Sequence, residues 1–207
     1  MEYRFPRQRA TDRRHHPAMN YQALPGFVKE LRKKQDTWAV ALEYLILTCA
    51  RTKEVLRAQW SEIDWDNKVW VLPKERTKQG REHTVPLSDR VLTLLMRQKE
   101  HSNGSEYIFT GRRPGGHNGK VLDITIMYEH LRGMGIEASV HGFRSSFRDY
   151  MGNETHFARE PVEECLAHAI GNSVERAYRR QDGLNKWRVI LDHWAEYCAG
   201  GSEEKAA

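Results

Sequence analysis

The chain has 207 residues, of which 39% are hydrophobic and 29% charged, a balance typical of one globular domain with a sizeable core. Its longest apolar stretch, residues 40–50, is interrupted by Glu43 and is much shorter than the roughly 20 residues that span a bilayer. No apolar stretch follows the basic residues at the N-terminus, so we predict neither a signal peptide nor a membrane span, and a cytoplasmic location.

The net charge of +5 favours an anionic partner without identifying it. Cys49, Cys165 and Cys198 are an odd number of cysteines at wide spacings, which matches neither a disulfide framework nor a zinc site. We therefore expect three reduced thiols and no bound metal.

The first third of the chain changes from a polar arm to a helical pattern. Residues 1–20 are polar and basic, lack periodicity and contain two prolines, which predicts a flexible linker or arm. Apolar residues then recur at helical spacing and predict helices over residues 21–31 and 38–49. Thr52 stands where the N-cap of a third helix is expected, before Val55 and Leu56.

The middle of the chain has the pattern of strands. Residues 68–72 and 82–87 are rich in β-formers and predict an antiparallel hairpin, whose polar turn at 74–81 contains Gly80. Residues 107–109 predict a third strand. Ser88 is placed as the cap of a helix that reaches Met96, and residues 112–120 form a glycine-rich basic loop.

The last third is helical again, with predicted helices near 121–131, 144–153, 161–167, 173–178 and 185–197 and a disordered tail at 200–207. The sequence therefore predicts a mixed fold, mainly α with a small three-stranded antiparallel β-sheet, in one domain over residues 21–199.

Five short motifs contain residues suited to phosphate chemistry. Arg51 follows a buried helix and precedes another, and its planar guanidinium matches a phosphate. His141 and Arg144 are one helical turn apart, so both can face one ligand. His168 ends a helix, and Lys78 lies on the polar turn, from which an amine could deliver a proton.

The fifth motif places Tyr178 between an alanine and two arginines. Taken one at a time, each motif has an ordinary explanation: a solvated arginine or lysine, a structural histidine, or a packed tyrosine ring with its hydroxyl at the surface. The order of the five motifs along the chain favours a shared functional role over these separate ordinary explanations.

The order Arg51, Lys78, His141, Arg144, His168, Tyr178 resembles the active-site order of the tyrosine recombinases, and in particular of the integrases of temperate and satellite phages and genomic islands. The resemblance covers residues 21–197 and rests on these strings: Leu47-Thr48-Cys49-Ala50-Arg51, Thr84-Val85-Pro86-Leu87-Ser88, His141-Gly142-Phe143-Arg144, Leu166-Ala167-His168 and Ala177-Tyr178-Arg179-Arg180. It implies a catalytic core like that of tyrosine recombinases and type IB topoisomerases, encoded by a bacterium or a phage.

The resemblance also implies a reaction. Tyr178 would be the nucleophile that forms a 3′-phosphotyrosine, and the other five residues would complete the catalytic set without a cofactor. The implied partner is double-stranded DNA, bound by a tetramer, with integration or excision of a mobile element as the outcome. The residues expected to contact the DNA backbone are basic, namely Arg112, Arg113, Lys120, Arg148, Arg179 and Arg180.

The sequence departs from the pattern of full integrases in three ways. Cys49 stands where glycine is common, and Ala169 stands where lysine is common. Full integrases also have two DNA-binding domains before the catalytic domain, and this chain has room for neither. The alternative functions are a type IB topoisomerase and a non-enzymatic DNA-binding protein; a metal-dependent nuclease lacks a ligand cluster.

Overall fold

The computed structural model describes residues 17–102, 104–111, 120–168 and 180–201. These residues form the helices α1 Leu24–Leu31, α2 Thr37–Thr48, α3 Thr52–Leu56, α4 Asp89–Glu100, α5 Ile124–Gly133, α6 Phe143–Glu154, α7 Arg159–Cys165 and α8 Arg180–Cys198, and the strands β1 Ile63–Asp64, β2 Val69–Leu72, β3 His83–Pro86, β4 Thr110–Gly111 and β5 Lys120–Val121. Short 3-10 turns occur at Tyr21–Ala23, Trp60–Glu62 and Val140–Gly142.

Helix α2 lies at the centre of the fold. Ten of its twelve residues are buried, as expected of a helix that is apolar on all sides. It packs against α1, α3, α4, α5 and α8. Its one buried carboxylate, Glu43, accepts hydrogen bonds from Arg32 at 2.6 Å and from Arg90 at 2.7 and 2.8 Å, which fix α4 and the end of α1 to it.

The strands form two antiparallel sheets. The first has the order β1-β2-β3, with Trp70 opposite both Ile63 and Val85. The predicted hairpin is therefore confirmed, but the predicted third strand is wrong. Tyr107 forms only an isolated bridge to Gln59, and the chain continues into β4, which pairs with β5 in a second, two-stranded sheet.

Several element boundaries differ from the sequence prediction by a few residues. Arg51, not Thr52, is the N-cap of α3, because the Glu54 carboxylate at the third helical position accepts the Arg51 N–H at 2.8 Å. Helix α4 continues to Glu100, and Ser88 caps it by position without a hydrogen bond from its side chain. Helix α5 begins only at Ile124, because residue 121 belongs to β5.

The C-terminal helix α8 packs in cis on α7, β3, α2 and α1. Trp194 is completely buried and donates its indole N–H to the Ile46 carbonyl at 2.8 Å. Tyr197 donates to the Tyr21 carbonyl at 2.8 Å, which ties the end of α8 to the turn before α1. No helix in the described part of the chain is long and apolar enough to cross a membrane.

Candidate active site

Arg144 lies at the centre of the candidate site and is 94% removed from solvent. It projects from the first turn of α6 and donates to the Cys49 carbonyl after α2 and, at 2.6 Å, to the Leu166 carbonyl after α7. Its Nη2 also lies 3.4 Å from His168 Nε2. One guanidinium thus joins three segments that are far apart in the sequence.

Arg51 reaches the same place from the other side. Its Nη1 pairs with Glu54 at 3.0 Å, and its Nη2 donates to the Ala167 carbonyl at 3.4 Å. The two arginines therefore hold neighbouring carbonyls, those of residues 166 and 167, in one turn. The structure brings Arg51, Arg144 and His168 together, as the sequence predicts.

Two left-handed residues shape the turns that these arginines hold. Cys49 has φ of 53° and Ala167 has φ of 51°, a region that glycine favours. Cys49 therefore adopts a conformation that glycine favours, at the position where the resemblance implies glycine. After α7, Ala167 N–H donates to Glu164 and His168 N–H to Glu163, the pattern of a Schellman motif.

That motif brings the Glu163 carboxylate next to the His168 ring. His168 Nδ1 lies 2.5 Å from Glu163 Oε2, and Arg148 Nε lies 2.8 Å from the other carboxylate oxygen. The His168 ring is thus held with Nδ1 against the Glu163 carboxylate, which can only accept there when ionised, and with Nε2 against the Arg144 guanidinium. Burial raises the pKa of Glu163, but the hydrogen bond from His168 and the charge of Arg148 outweigh it, and the net pKa is lowered.

The turn between β2 and β3, which carries Lys78, is anchored at several points. Arg76 pairs with Glu62 and donates to the Glu54 carbonyl at 2.6 Å. Thr77 donates to the Arg81 carbonyl at 2.6 Å and closes the turn, and Gln79 donates to the Ala167 carbonyl. Lys78 itself is exposed, on a turn held against the arginine pair.

His141 lies in the 3-10 turn that leads directly into α6, so it precedes Arg144 on the same rigid element. Burial lowers the pKa of Arg144 to about 10, and the positive charge of Arg51 acts in the same direction. The described partners of Arg144 are two carbonyls and an imidazole, which carry no full negative charge. An anion bound here would supply it.

Other predicted site residues lie outside the described part of the chain, namely Tyr178, Arg112, Arg113 and Arg179. Lys120 begins β5 and Arg180 begins α8. Arg148 is half-exposed and forms an ion pair with Glu163. The described residues contain no group of three or more His, Cys, Asp or Glu side chains placed to hold a metal ion.

Sequence reasoning missed three residues that support the site: Glu163, Arg76 and Gln79. For Glu163 a signal existed, since a carboxylate five residues before a histidine meets it across a Schellman turn. For Arg76 and Gln79 the signal is absent, because their partners, Glu62 and Ala167, are set only by tertiary packing.

His83, the first residue of β3, lies beside the arginine pair, and its ring centroid is 6.1 Å from that of Trp187 on α8. Removal of the ring from water lowers its pKa from 6.5 to about 4, and the charges of Arg51 and Arg144 act in the same direction while Glu54 opposes them. His83 is therefore neutral in the folded protein at pH 7.

The low pKa of His83 predicts a loss of stability in mild acid. The unfolded chain protonates this histidine near pH 6.5 and the folded chain only near pH 4, so its contribution is complete above pH 7 and falls between the two values. We expect a loss of about 2 kcal/mol by pH 5 and about 3 kcal/mol by pH 4. Urea unfolding of wild type and His83→Gln at several pH values measures it.

His156→Gln is the matched control, because His156 is exposed. That variant should keep the pH dependence of the wild type, whereas His83→Gln should flatten it. If His83→Gln lost stability with pH as steeply as the wild type, the partly buried neutral histidine would be the wrong explanation.

Comparison with known proteins identifies the family of the chain. The model of the phage integrase family matches residues 12–183. Prophage integrase IntA of Escherichia coli K12 is 33% identical over 184 residues, covering 87% of this chain and 44% of that protein. The integrase of Enterobacteria phage P4 is 30% identical over 207 residues, covering 90% of this chain and 46% of that protein. The chain therefore spans less than half the length of these two relatives.

Solved structures show the same fold at low sequence identity. The XerH site-specific recombinase in a post-cleavage complex with a palindromic difH substrate gives a TM-score of 0.60 at 15% identity, over 95% of this chain and 56% of that one. XerA recombinase gives a TM-score of 0.56 at 15% identity, over 81% of this chain and 66% of that one. The mainly α fold with its small antiparallel sheet is thus that of tyrosine recombinases. Because the family model matches residues 12–183, the chain belongs to the phage integrase family of tyrosine recombinases.

Proposed function

We propose that the chain is the catalytic domain of a site-specific DNA recombinase, which cleaves and rejoins strands through a 3′-phosphotyrosine. The observation that carries the proposal is the cradle formed by Arg51, Arg144 and His168, in which two guanidinium groups are fixed by carbonyls of one turn. A buried cation whose partners are neutral is suited to an anionic ligand.

The cradle fits a phosphodiester in its transition state. Arg51 and Arg144 would each donate to a non-bridging oxygen, and His168, held by Glu163 through Nδ1, would donate a further hydrogen bond from Nε2. These donors stabilise the charge of a pentavalent phosphorus without rearranging, because they are fixed in advance. Glu54 and Glu163 would act as positioning residues, holding Arg51 and His168 respectively.

Tyr178 would attack the phosphorus, so that a P–O bond to the tyrosine forms as the P–O bond to the 5′-oxygen breaks. His141 would accept the phenol proton, and Lys78 would give a proton to the departing 5′-oxygen. The 5′-hydroxyl of a second strand would reverse the step. The bond energy stays in the phosphotyrosine, so the exchange needs no ATP.

Double-stranded DNA is the proposed partner, and a tetramer holding two duplexes is the proposed assembly. Two of the similar structures are complexes of the XerH recombinase with its difH substrate, and a third is a complex of the Tn1549 integrase with circular intermediate DNA. In this chain Arg148, half-exposed beside Glu163, is the described residue best placed to add a backbone contact next to the cradle.

The experiment that tests this proposal also finds the DNA target. A pool of nicked duplexes with a randomised central region is incubated with the protein, and strands that resist denaturing removal of the protein are recovered and sequenced. A nick close to the cleavage point lets a short strand diffuse away, which traps the covalent intermediate. We expect one sequence to be enriched and to carry the protein at a 3′ end.

Recovery of 3′-linked strands without sequence preference, together with relaxation of a supercoiled plasmid, would instead indicate a type IB topoisomerase. Binding without any covalent recovery would indicate a non-enzymatic DNA-binding protein. Either result would contradict the proposed recombinase.

A further inference from the structure

Residues 17–20 lie across the turn that carries His141 and leads to Arg144. The Ser139 amide donates to the Pro17 carbonyl at 2.9 Å, and the Ser139 hydroxyl donates to the same oxygen at 3.2 Å. Residues 17–20 thus lie directly on the His141-Gly142-Phe143-Arg144 motif.

Gly142 is the contact point. A Cβ atom at this position would lie 2.9 Å from Ala18 Cα and closer still to the Pro17 carbonyl oxygen. Both neighbours are main-chain atoms, so a side chain cannot be accommodated by rotating another side chain away. The glycine of this motif is therefore required by the segment that crosses it, rather than by its own backbone angles, which are helical.

A second contact fixes the segment one turn further along α6. The Ser146 hydroxyl is completely buried and donates to the Met19 carbonyl at 2.5 Å. Asn20 then caps the following 3-10 turn by accepting the Gln22 amide at 3.0 Å. The segment is therefore held on both sides of Arg144 in the sequence, at residues 142 and 146.

A shift of residues 17–20 would affect the position of the Arg144 guanidinium, because two hydrogen bonds to different segments leave that group little freedom. The Arg144 guanidinium must reach carbonyls on two other segments at once. The start of the helix that carries it packs against the main chain of Pro17 and Ala18 at Gly142. A displacement of about 1 Å at a reacting group can reduce a rate about 100-fold.

We propose that residues 17–20 form a strap that positions the His141–Arg144 turn, with Gly142 and Ser146 as the positioning residues that seat it. The inference rests on the proposed function, since it is the cleavage step that the strap would support.

Two pairs of variants in the full chain test the strap. Gly142→Ala, at the N-cap of α6, forces Pro17 away, whereas Gly152→Ala adds the same methyl group within α6 in open space. Ser146→Ala removes the bond to Met19, whereas Ser145→Ala changes its exposed neighbour. Ser146→Ala adds no bulk, so it keeps the test decisive if Gly142→Ala does not fold.

Hydrogen exchange at the Ser139 amide reports the seating of the strap without DNA, because this amide donates to Pro17. We expect exchange about tenfold faster in Gly142→Ala and Ser146→Ala and unchanged in both controls. At saturating DNA, and below the unfolding temperature of each variant, the cleavage rate should fall about 10- to 100-fold while the Kd for DNA stays within about threefold.

Fast Ser139 exchange with a wild-type cleavage rate would overturn the positioning role, and unchanged exchange in both variants would overturn the seat itself. If the wild-type protein formed no covalent adduct at all, the proposed function would fail, and the exchange measurement would still decide whether Gly142 and Ser146 seat the strap.

Discussion

Replacing Arg144 with lysine should reduce the rate of DNA cleavage by about 10²- to 10³-fold, the range found when one fixed donor to a transition state is removed. Lysine keeps the positive charge but not the planar fork that reaches the Cys49 and Leu166 carbonyls together. The loss should therefore exceed any effect of charge alone. It is measured as the single-turnover rate of covalent adduct formation.

Arg97→Lys is the control, because Arg97 is an exposed arginine in α4. It should cleave like the wild type, and Arg144→Lys should still bind the duplex with only a modest loss of affinity. An Arg144→Lys rate within about threefold of the wild-type rate would mean that the guanidinium does not form part of the cradle.

The second large effect is expected at Trp194. Its ring is fully buried, with ring centroids of Phe147 at 5.3 Å and Tyr150 at 5.5 Å. Trp194→Ala should lower the free energy of unfolding by about 3–5 kcal/mol. In a domain of this size that corresponds to a fall in Tm of about 10 °C. Thermal and urea unfolding measure the change.

Val189→Ala is the matched control in the same helix, because Val189 is 59% exposed, and it should change stability by less than about 0.5 kcal/mol. Since α8 packs in cis, the unfolding midpoint of the wild type should not depend on protein concentration. A midpoint that rose with concentration, or a loss below about 1 kcal/mol for Trp194→Ala, would point to docking on another copy.

Most of the fold could be predicted from periodicity, since long amphipathic or fully apolar segments such as α2 and α6 leave little choice. The third strand could not. Residues 107–109 have strong β-formers, but Ile108 and Phe109 are buried between elements rather than paired in the sheet. Ile63 and Asp64 pair instead, in a strand of two residues that no pattern of alternation marks.

The site could be predicted as an ordered set of residues, but not as a network. Arg51, Arg144 and His168 converge, but they are held mainly by main-chain carbonyls at residues 49, 166 and 167. Because every residue has a main-chain carbonyl, the sequence does not indicate which ones accept these hydrogen bonds. The same limit applies to Gly142. Its neighbour Pro17 is 125 positions earlier in the chain, so only the structure shows why a side chain is excluded there.

The most direct test of the account uses the nicked duplex enriched from the randomised pool. Wild-type protein should form a covalent adduct with it, and a tryptic peptide containing Tyr178 should carry the 3′-phosphate of the DNA. Tyr178→Phe, which lacks only the hydroxyl, should bind the same duplex and form no adduct. An adduct formed by Tyr178→Phe, or one mapped to Tyr150 or Tyr197, would contradict the assignment of Tyr178 as the nucleophile.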